Sequence, residues 1–325
     1  MNTTDVLLLG AAGNSGRLIA AELAARGLSV RLAGRRRGPL EDLARTLGAD
    51  GATSGDATIG VRTVDVSDAA SLAAAMAGTG LVLSTIGPFA RQAGPVIDAC
   101  LAAGVSYVDI ANEWTAVRSL LDRSDQARAH EVTLVTGAGF GPAATETLVL
   151  RLVDKLGTAP GLVRVAAAAE VTHRSDGVRQ TIQESLSGGT TVVYRDDQVV
   201  REALGSGATV LTFGGAQRQM LPGPVGDLET ARLASGAANV VAYIADPAAP
   251  GRGNGSYAWA EAVGPGGQAL TAELRAGEGV LATAAIAAET ARRVLAGARP
   301  GAWTPGQLFG AALVTDATGA QVTVG

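Results

Sequence analysis

A chain of 325 residues, 47% of them apolar, can bury two cores, although aromatics supply only 3%. Its net charge is −4 with both signs spread along the chain, which leaves no basic surface for nucleic acid or membrane. One cysteine, Cys100, excludes an intramolecular disulfide and a cysteine-rich zinc site, and two histidines cannot build a His-rich metal site.

In chain order, Asp5–Gly10 is a short apolar run of the kind found in a covered parallel strand. A helix is expected over 15–26, stopped by Gly27, then a strand over 29–33, a helix over 40–47 and a strand over 61–66. Ser67 or Asp68 caps the next helix, which runs to Met76. Strands over 81–87, 106–112 and 132–140 then alternate with helices near 93–103 and 114–130. Six strands separated by helices predict an α/β fold, a doubly wound parallel Rossmann sheet, over residues 1–156.

Beyond Leu156 the pattern changes to longer strands, read over 161–173, 190–200, 209–215 and 239–245, with a hairpin over 256–279. Helices are expected near 176–187, 227–235 and 280–296, and residues 245–255 read as an exposed loop. Residues 157–279 therefore predict a second, α+β domain with a mostly antiparallel sheet. The start of the chain carries no targeting run and no stretch of about 18 apolar residues appears, so a soluble cytoplasmic protein is expected.

The glycines of "LLLGAAGNSGRLIAAELAARG" leave an apolar strand and open a helix within a βαβ unit, the context a dinucleotide site requires. Gly10 makes the tight turn, Gly13 lets backbone approach a pyrophosphate, and Gly16 lets helix and strand pack closely. Ala12, Asn14 and Ser15 complete the loop, and the helix N-terminus offers free N–H groups to the phosphates. The spacing is GxxGxxG, common among NADP-linked Rossmann domains. An NAD site wants an acidic residue at the end of the second strand, but Gly34-Arg35-Arg36-Arg37 stands there. Guanidinium groups match a 2′-phosphate, so NADP(H) is the expected cofactor; the bland alternative is a solvated basic loop. Asp65 and Val66 are candidates to border the adenine, and Ser84, Thr85, Gly87 and Pro88 to line the channel toward the nicotinamide, unless Pro88 only stiffens a helix start.

The stretches "GAAGNSGRLIAAELAARG", "AGRR", "STIGPFARQAGPVIDACLAAGVSYVDIANE" and "GAGFGPAATE" resemble the saccharopine dehydrogenase-like family. The segment "GEGVLATAAIAAETARRVLAGARPGAWTPGQLFG" is similar to its short bacterial reductase branch, which includes the trans-acting enoyl reductases. The resemblance implies an NADP-binding Rossmann domain, an α+β substrate and dimerisation domain, and a C-terminal segment, here 280–325, that returns toward the first domain. It implies reduction or oxidation of C=N bonds of amino-acid adducts, or reduction of C=C or C=O bonds. It also implies that Asn112 and Glu113 face the nicotinamide side. "GAGFGP" departs from the "GFDS.P" form of many relatives, which puts a shared substrate in question.

Lys155 is the only lysine and no tyrosine has a lysine four positions on, so a P-loop and the Tyr/Lys pair of short-chain dehydrogenases are absent. GxSxG and HExxH are also missing. Hydride transfer needs an oriented cofactor and a polarised acceptor. His173, in "EVTHRSDG", has the chemistry of a proton donor, or is a capped surface histidine. Glu113 either steers a cationic imine or caps a helix. Arg174 and Arg179 could hold a carboxylate or lie on a solvated face, and Tyr194 and Trp259 wall a pocket or fill the core. The expectation is a homodimeric NADPH-dependent reductase of a small imine, enone or ketone bound between the domains, with C=N reduction placed first on what the resemblance implies. The alternative is an NADP-binding sensor without turnover.

Overall fold

A computed structural model describes residues 5–49, 57–168, 188–245 and 255–325. They form two compact units. The first holds residues up to Ala111 with Ser119–Ala138 and Thr283–Thr304; the second holds Asn112–Arg118, Gly139–Ala282 and Pro305–Gly325.

The first unit is built on β1 (Asp5–Leu9), β2 (Ser29–Gly34), β3 (Ile59–Thr63), β4 (Leu81–Ser84), β5 (Ser106–Asp109) and β6 (Thr133–Val135). Val6–Leu9 and Leu81–Leu83 are buried on both faces, as a covered parallel strand requires. Helices α1 (Asn14–Ala25), α2 (Arg37–Ala49), α3 (Ala69–Met76), α4 (Phe89–Ala103) and α6 (Ser124–Ala129) follow the strands, together with the end of α5 (Trp114–Leu121), whose first residues, to Arg118, belong to the second unit. Asp68 caps α3, its carboxylate accepting from the Ala70 N–H at 2.9 Å. The helix expected over 114–130 is two helices, and His130 stands at the C-terminal end of the second.

Seven strands, not six, make this parallel sheet, in the order β15-β6-β5-β4-β1-β2-β3. The extra strand, β15 (Gly301–Trp303), pairs with β6. Three residues carry no period, so it gave no signal of its own. The helix α9 (Gly279–Leu295) belongs to this unit from Thr283 on, and its Glu289 accepts from Arg292 and Arg293 and faces Arg26, the residue that ends α1, at 3.7 Å. These cations, Arg292 foremost, hold the Glu289 carboxyl down at about 2.

The second unit has a nine-stranded mixed sheet, mostly antiparallel. Its strands are β7 (Leu162–Ala168), β8 (Thr190–Arg195), β9 (Gln198–Ala203), β10 (Thr209–Phe213), β11 (Ala216–Pro222), β12 (Asn239–Ala245), β13 (Ser256–Val263), β14 (Ala269–Ala276) and β16 (Gln321–Val324). Only β7 and β12 run parallel. The run expected as one strand over 190–200 is a hairpin, because Asp196 and Asp197 both take positive φ, at 48° and 61°. Two such residues form the turn that matches the twist of paired strands.

Helix α7 (Phe140–Leu156) also belongs to this unit, so the first unit gives way at Ala138 and not at 156. Its buried face, from Phe140 and Thr145 to Leu152, packs on α8 (Asp227–Ser235), β13 and β14. The tail returns here as well, as α10 (Pro305–Phe309), α11 (Leu313–Thr318) and β16 against β14. Gly306 donates its N–H to the buried Glu146 of α7 at 2.8 Å. Among the described residues no helix is long and apolar enough to cross a membrane.

Candidate functional site

The loop after β1 is a narrow cradle. Gly10 sits at φ +79°, and the Gly10 and Ala11 N–H groups donate to the Ala33 carbonyl at 3.0 and 3.2 Å. Gly13 donates to Gly10 O at 2.9 Å, and the first helical bond runs from the Arg17 N–H to Gly13 O. The N–H groups of Asn14, Ser15 and Gly16 therefore precede the first bond of α1 and face outward from its N-terminus, as anion donors do. A Cβ on Gly16 would stand 2.2 Å from Gly10 O and 2.8 Å from the Ala11 Cα, and one on Gly13 3.2 Å from Gly10 O. Ala12 and Ser15 are half-buried, Gly13 and Asn14 exposed.

Thr85 spends its hydroxyl on this loop, donating to Leu9 O at 3.0 Å and Gly10 O at 3.2 Å. Ser84 is buried and accepts from the Ile86 N–H at 3.4 Å. Gly87 is exposed, while Pro88 is buried and its carbonyl accepts from Arg91 and Gln92 at the start of α4. At the end of β2, Gly34 is half-buried and Arg35 and Arg36 are exposed. Among the described residues neither arginine makes a hydrogen bond or ion pair, whereas Arg37 is tied to Glu41 at 2.6 Å. β3 ends at Thr63, before the expected Val66, because Asp65 turns the chain: its carboxylate accepts from the Ser67 hydroxyl at 2.7 Å and N–H at 3.0 Å. Those bonds, then the charge of Arg35, hold the Asp65 carboxyl below its usual range. Val66 is half-buried.

Asp109, at the end of β5, is a buried acid that the sequence did not single out. One of its oxygens, Oδ1, accepts from Thr136 Oγ1 at 2.8 Å and from the Ala111 and Gly137 N–H groups at 3.1 and 3.2 Å. The buried Tyr107 hydroxyl faces it and Ser84, outside good hydrogen-bond geometry with either. Burial pushes Asp109 up to about 6, against the pull of its donors. The folded protein then binds this proton more tightly than the unfolded chain, so the stability tied to Asp109 is largest at low pH and falls as pH rises through about 6. Asp109→Asn keeps the oxygen acceptor and removes that cost. It is expected to raise stability by about 2 kcal/mol at pH 8 and to lose the advantage by pH 4. Urea unfolding of both proteins across this range checks it; equal pH dependence would mean Asp109 does not titrate there. Cys100, also buried in this unit, has its thiol pushed far up and is no nucleophile.

In the second unit, Asn112 is exposed and its carbonyl accepts from the Gly226 N–H at 2.9 Å. Glu113 is buried and bridges Val225. Tyr194 is buried in a polar cluster: its hydroxyl donates to Glu229 Oε2 at 2.7 Å and accepts from Arg118 at 3.2 Å. Glu229 also accepts from Trp114 Nε1 at 3.3 Å and, on Oε1, from Arg232 at 2.6 and 3.1 Å. Burial foremost, then the bond to Glu229, pushes Tyr194 up to about 12. Trp259 belongs to an aromatic core cluster with Phe213 and Tyr243. Asp227 is buried and raised to about 6, with the Thr145 hydroxyl donating to it at 3.1 Å. His173, Arg174 and Arg179, and the helix expected near 176–187, lie outside the described residues.

A parallel sheet whose first strand opens into a glycine cradle, with a helix N-terminus on one side and two exposed arginines at the next strand end, defines a dinucleotide-binding protein. Residues 6–135 match the saccharopine dehydrogenase NADP binding domain. The chain is 28% identical over 229 residues to the trans-acting enoyl reductase of Mycobacterium tuberculosis (strain ATCC 25618 / H37Rv), covering 66% of this chain and 51% of that one. It is 28% identical over 195 residues to the trans-acting enoyl reductase of Mycobacterium leprae, covering 59% and 44%. The chain thus spans about half the length of the curated relatives it matches. Its fold is that of saccharopine dehydrogenase (L-Glu forming) from Saccharomyces cerevisiae, with a TM-score of 0.65 over 99% of both chains at 13% identity.

Proposed function

We propose that the protein is an NADPH-dependent oxidoreductase that reduces a small C=C, C=N or C=O compound. The observation that carries this is the pair of exposed arginines beyond the glycine cradle, Arg35 and Arg36, which make no hydrogen bond or ion pair among the described residues. The cradle and the N–H groups of Asn14, Ser15 and Gly16 would take the pyrophosphate, and the two guanidinium groups the 2′-phosphate. Bound NADPH supplies the hydride. Thr85 keeps the cradle shaped by tying its hydroxyl to the Leu9 and Gly10 carbonyls. The name of the mycobacterial relatives, enoyl reductase, puts C=C first among the three bond types. His173 remains the proposed proton donor on its chemistry alone, with Asn112, Glu113, Arg174 and Tyr194 as substrate-side candidates. A homodimer is part of the proposal, and light scattering on the purified chain tests it.

Replacing Arg35 and Arg36 together by alanine is expected to weaken NADPH binding by at least about tenfold and leave NADH binding near its wild-type value, since only the 2′-phosphate loses charge-assisted bonds. Calorimetric titration with both nucleotides measures this. Equal losses for the two would show that the arginines are not reading the 2′-phosphate. NADPH oxidation in the presence of enones, imines and ketones then tests turnover; binding without any oxidation would leave the sensor in place of the enzyme.

A further inference from the structure

In the second unit the buried polar cluster holds two cations and one anion. Arg232 is matched by Glu229, which it grips through two nitrogens. Among the described residues Arg118 has no such match. Its contacts among the described residues are the neutral Tyr194 oxygen, 3.2 Å from one nitrogen, and the Trp114 ring, 5.6 Å from its Cζ. Among the described residues one of its five N–H donors is used.

The Arg118 guanidinium is nevertheless positioned. It stacks on a buried indole that is itself pinned by its Nε1–H to Glu229, and it leans on a buried phenol that donates to the same carboxylate. Glu229 is occupied by three other donors, so it does not neutralise Arg118. A surface arginine seeking only water would not need this support. Arg118 as a whole residue is half-buried. A half-buried, stacked and unmatched guanidinium is a receptor for a planar or tetrahedral oxyanion, because desolvation strengthens its charge-assisted bonds.

We propose that Arg118 is an anion-binding residue that holds the carboxylate or phosphate group of a small ligand, with Trp114 and Tyr194 fixing its fork. None of these residues belongs to the NADPH cradle, and the test needs no turnover. Full-length protein is titrated calorimetrically with succinate, with inorganic phosphate and with succinamide as the uncharged control, and separately with NADPH. Wild type should bind at least one of the anions and not succinamide. Whichever anion binds more tightly identifies carboxylate or phosphate as the ligand group. Arg118→Gln should weaken that binding by at least about tenfold while NADPH affinity stays within about twofold, since charge-assisted bonds are worth that much. Arg118→Lys keeps the charge without the fork and should fall between the two. If the Gln variant fails to fold by circular dichroism, the Lys variant decides alone: a weakened anion affinity supports the site, and a wild-type one overturns it. Wild type that binds neither anion, or a folded Gln variant that binds as wild type does, also overturns it. Failure of NADPH binding with anion binding intact would instead count against the cofactor reading.

Discussion

Gly16→Ala is expected to destabilise the protein by about 3 kcal/mol or more and to abolish measurable NADPH binding, because overpacking against backbone cannot be relieved by a rotamer change. The added methyl would meet the Gly10 carbonyl oxygen at 2.2 Å and the Ala11 Cα and carbonyl carbon at 2.8 and 2.9 Å. Relief requires α1 to move off the loop, and the N–H groups offered to the pyrophosphate belong to that same first turn. Gly13→Ala makes the informative contrast. Its methyl would meet only Gly10 O at 3.2 Å, and φ is −75° there, so the fold should tolerate it at a cost of about 1 kcal/mol. NADPH affinity should still fall, since the methyl occupies the exposed side from which a phosphate approaches. Thermal unfolding with and without NADPH separates the two effects. Gly16→Ala with a wild-type melting temperature would show that the tight helix–strand approach is not required.

Most of the first unit was legible because its signals are local. Val6–Leu9 and Leu81–Leu83 are continuous apolar runs, and the glycine triplet falls between a strand and a helix, so sheet, cradle and cofactor class can be read in one pass. The hairpin at Asp196-Asp197 was missed because its turn contains neither glycine nor asparagine, although aspartate also tolerates positive φ. Helix α7 reads as the end of the alternating βα pattern, yet its face is buried against α8 and β13, and sequence order does not say which sheet a helix covers. The polar cluster was the least legible part. Trp114 and Glu229 are 115 positions apart, and Arg118 and Tyr194 76 apart, so no spacing rule joins them. Tyr194 alone was visible as a candidate; what it touches came only from the fold.

That cluster carries the second large effect. Glu229→Ala should cost about 3–5 kcal/mol, because removing the anion of a buried network leaves its donors uncompensated. Three groups lose their acceptor: Trp114 Nε1, the Tyr194 hydroxyl and the Arg232 guanidinium. They do not suffer equally. The Arg232 side chain is 33% exposed and can turn toward water, whereas Trp114 and Tyr194 are buried and cannot. Glu229→Gln keeps one acceptor oxygen and should cost about half as much; Tyr194→Phe, which removes one neutral donor and frees one lone pair of Glu229, about 1–2 kcal/mol. Adding Arg232→Ala to Glu229→Ala should cost less than the sum of the two singles, since the second change removes a cation the first has stranded. Urea unfolding of the four single variants and the double variant gives these values directly. A loss below about 1 kcal/mol for Glu229→Ala would mean water enters the cluster freely, and Arg118 would then be an ordinary hydrated cation, not a supported one.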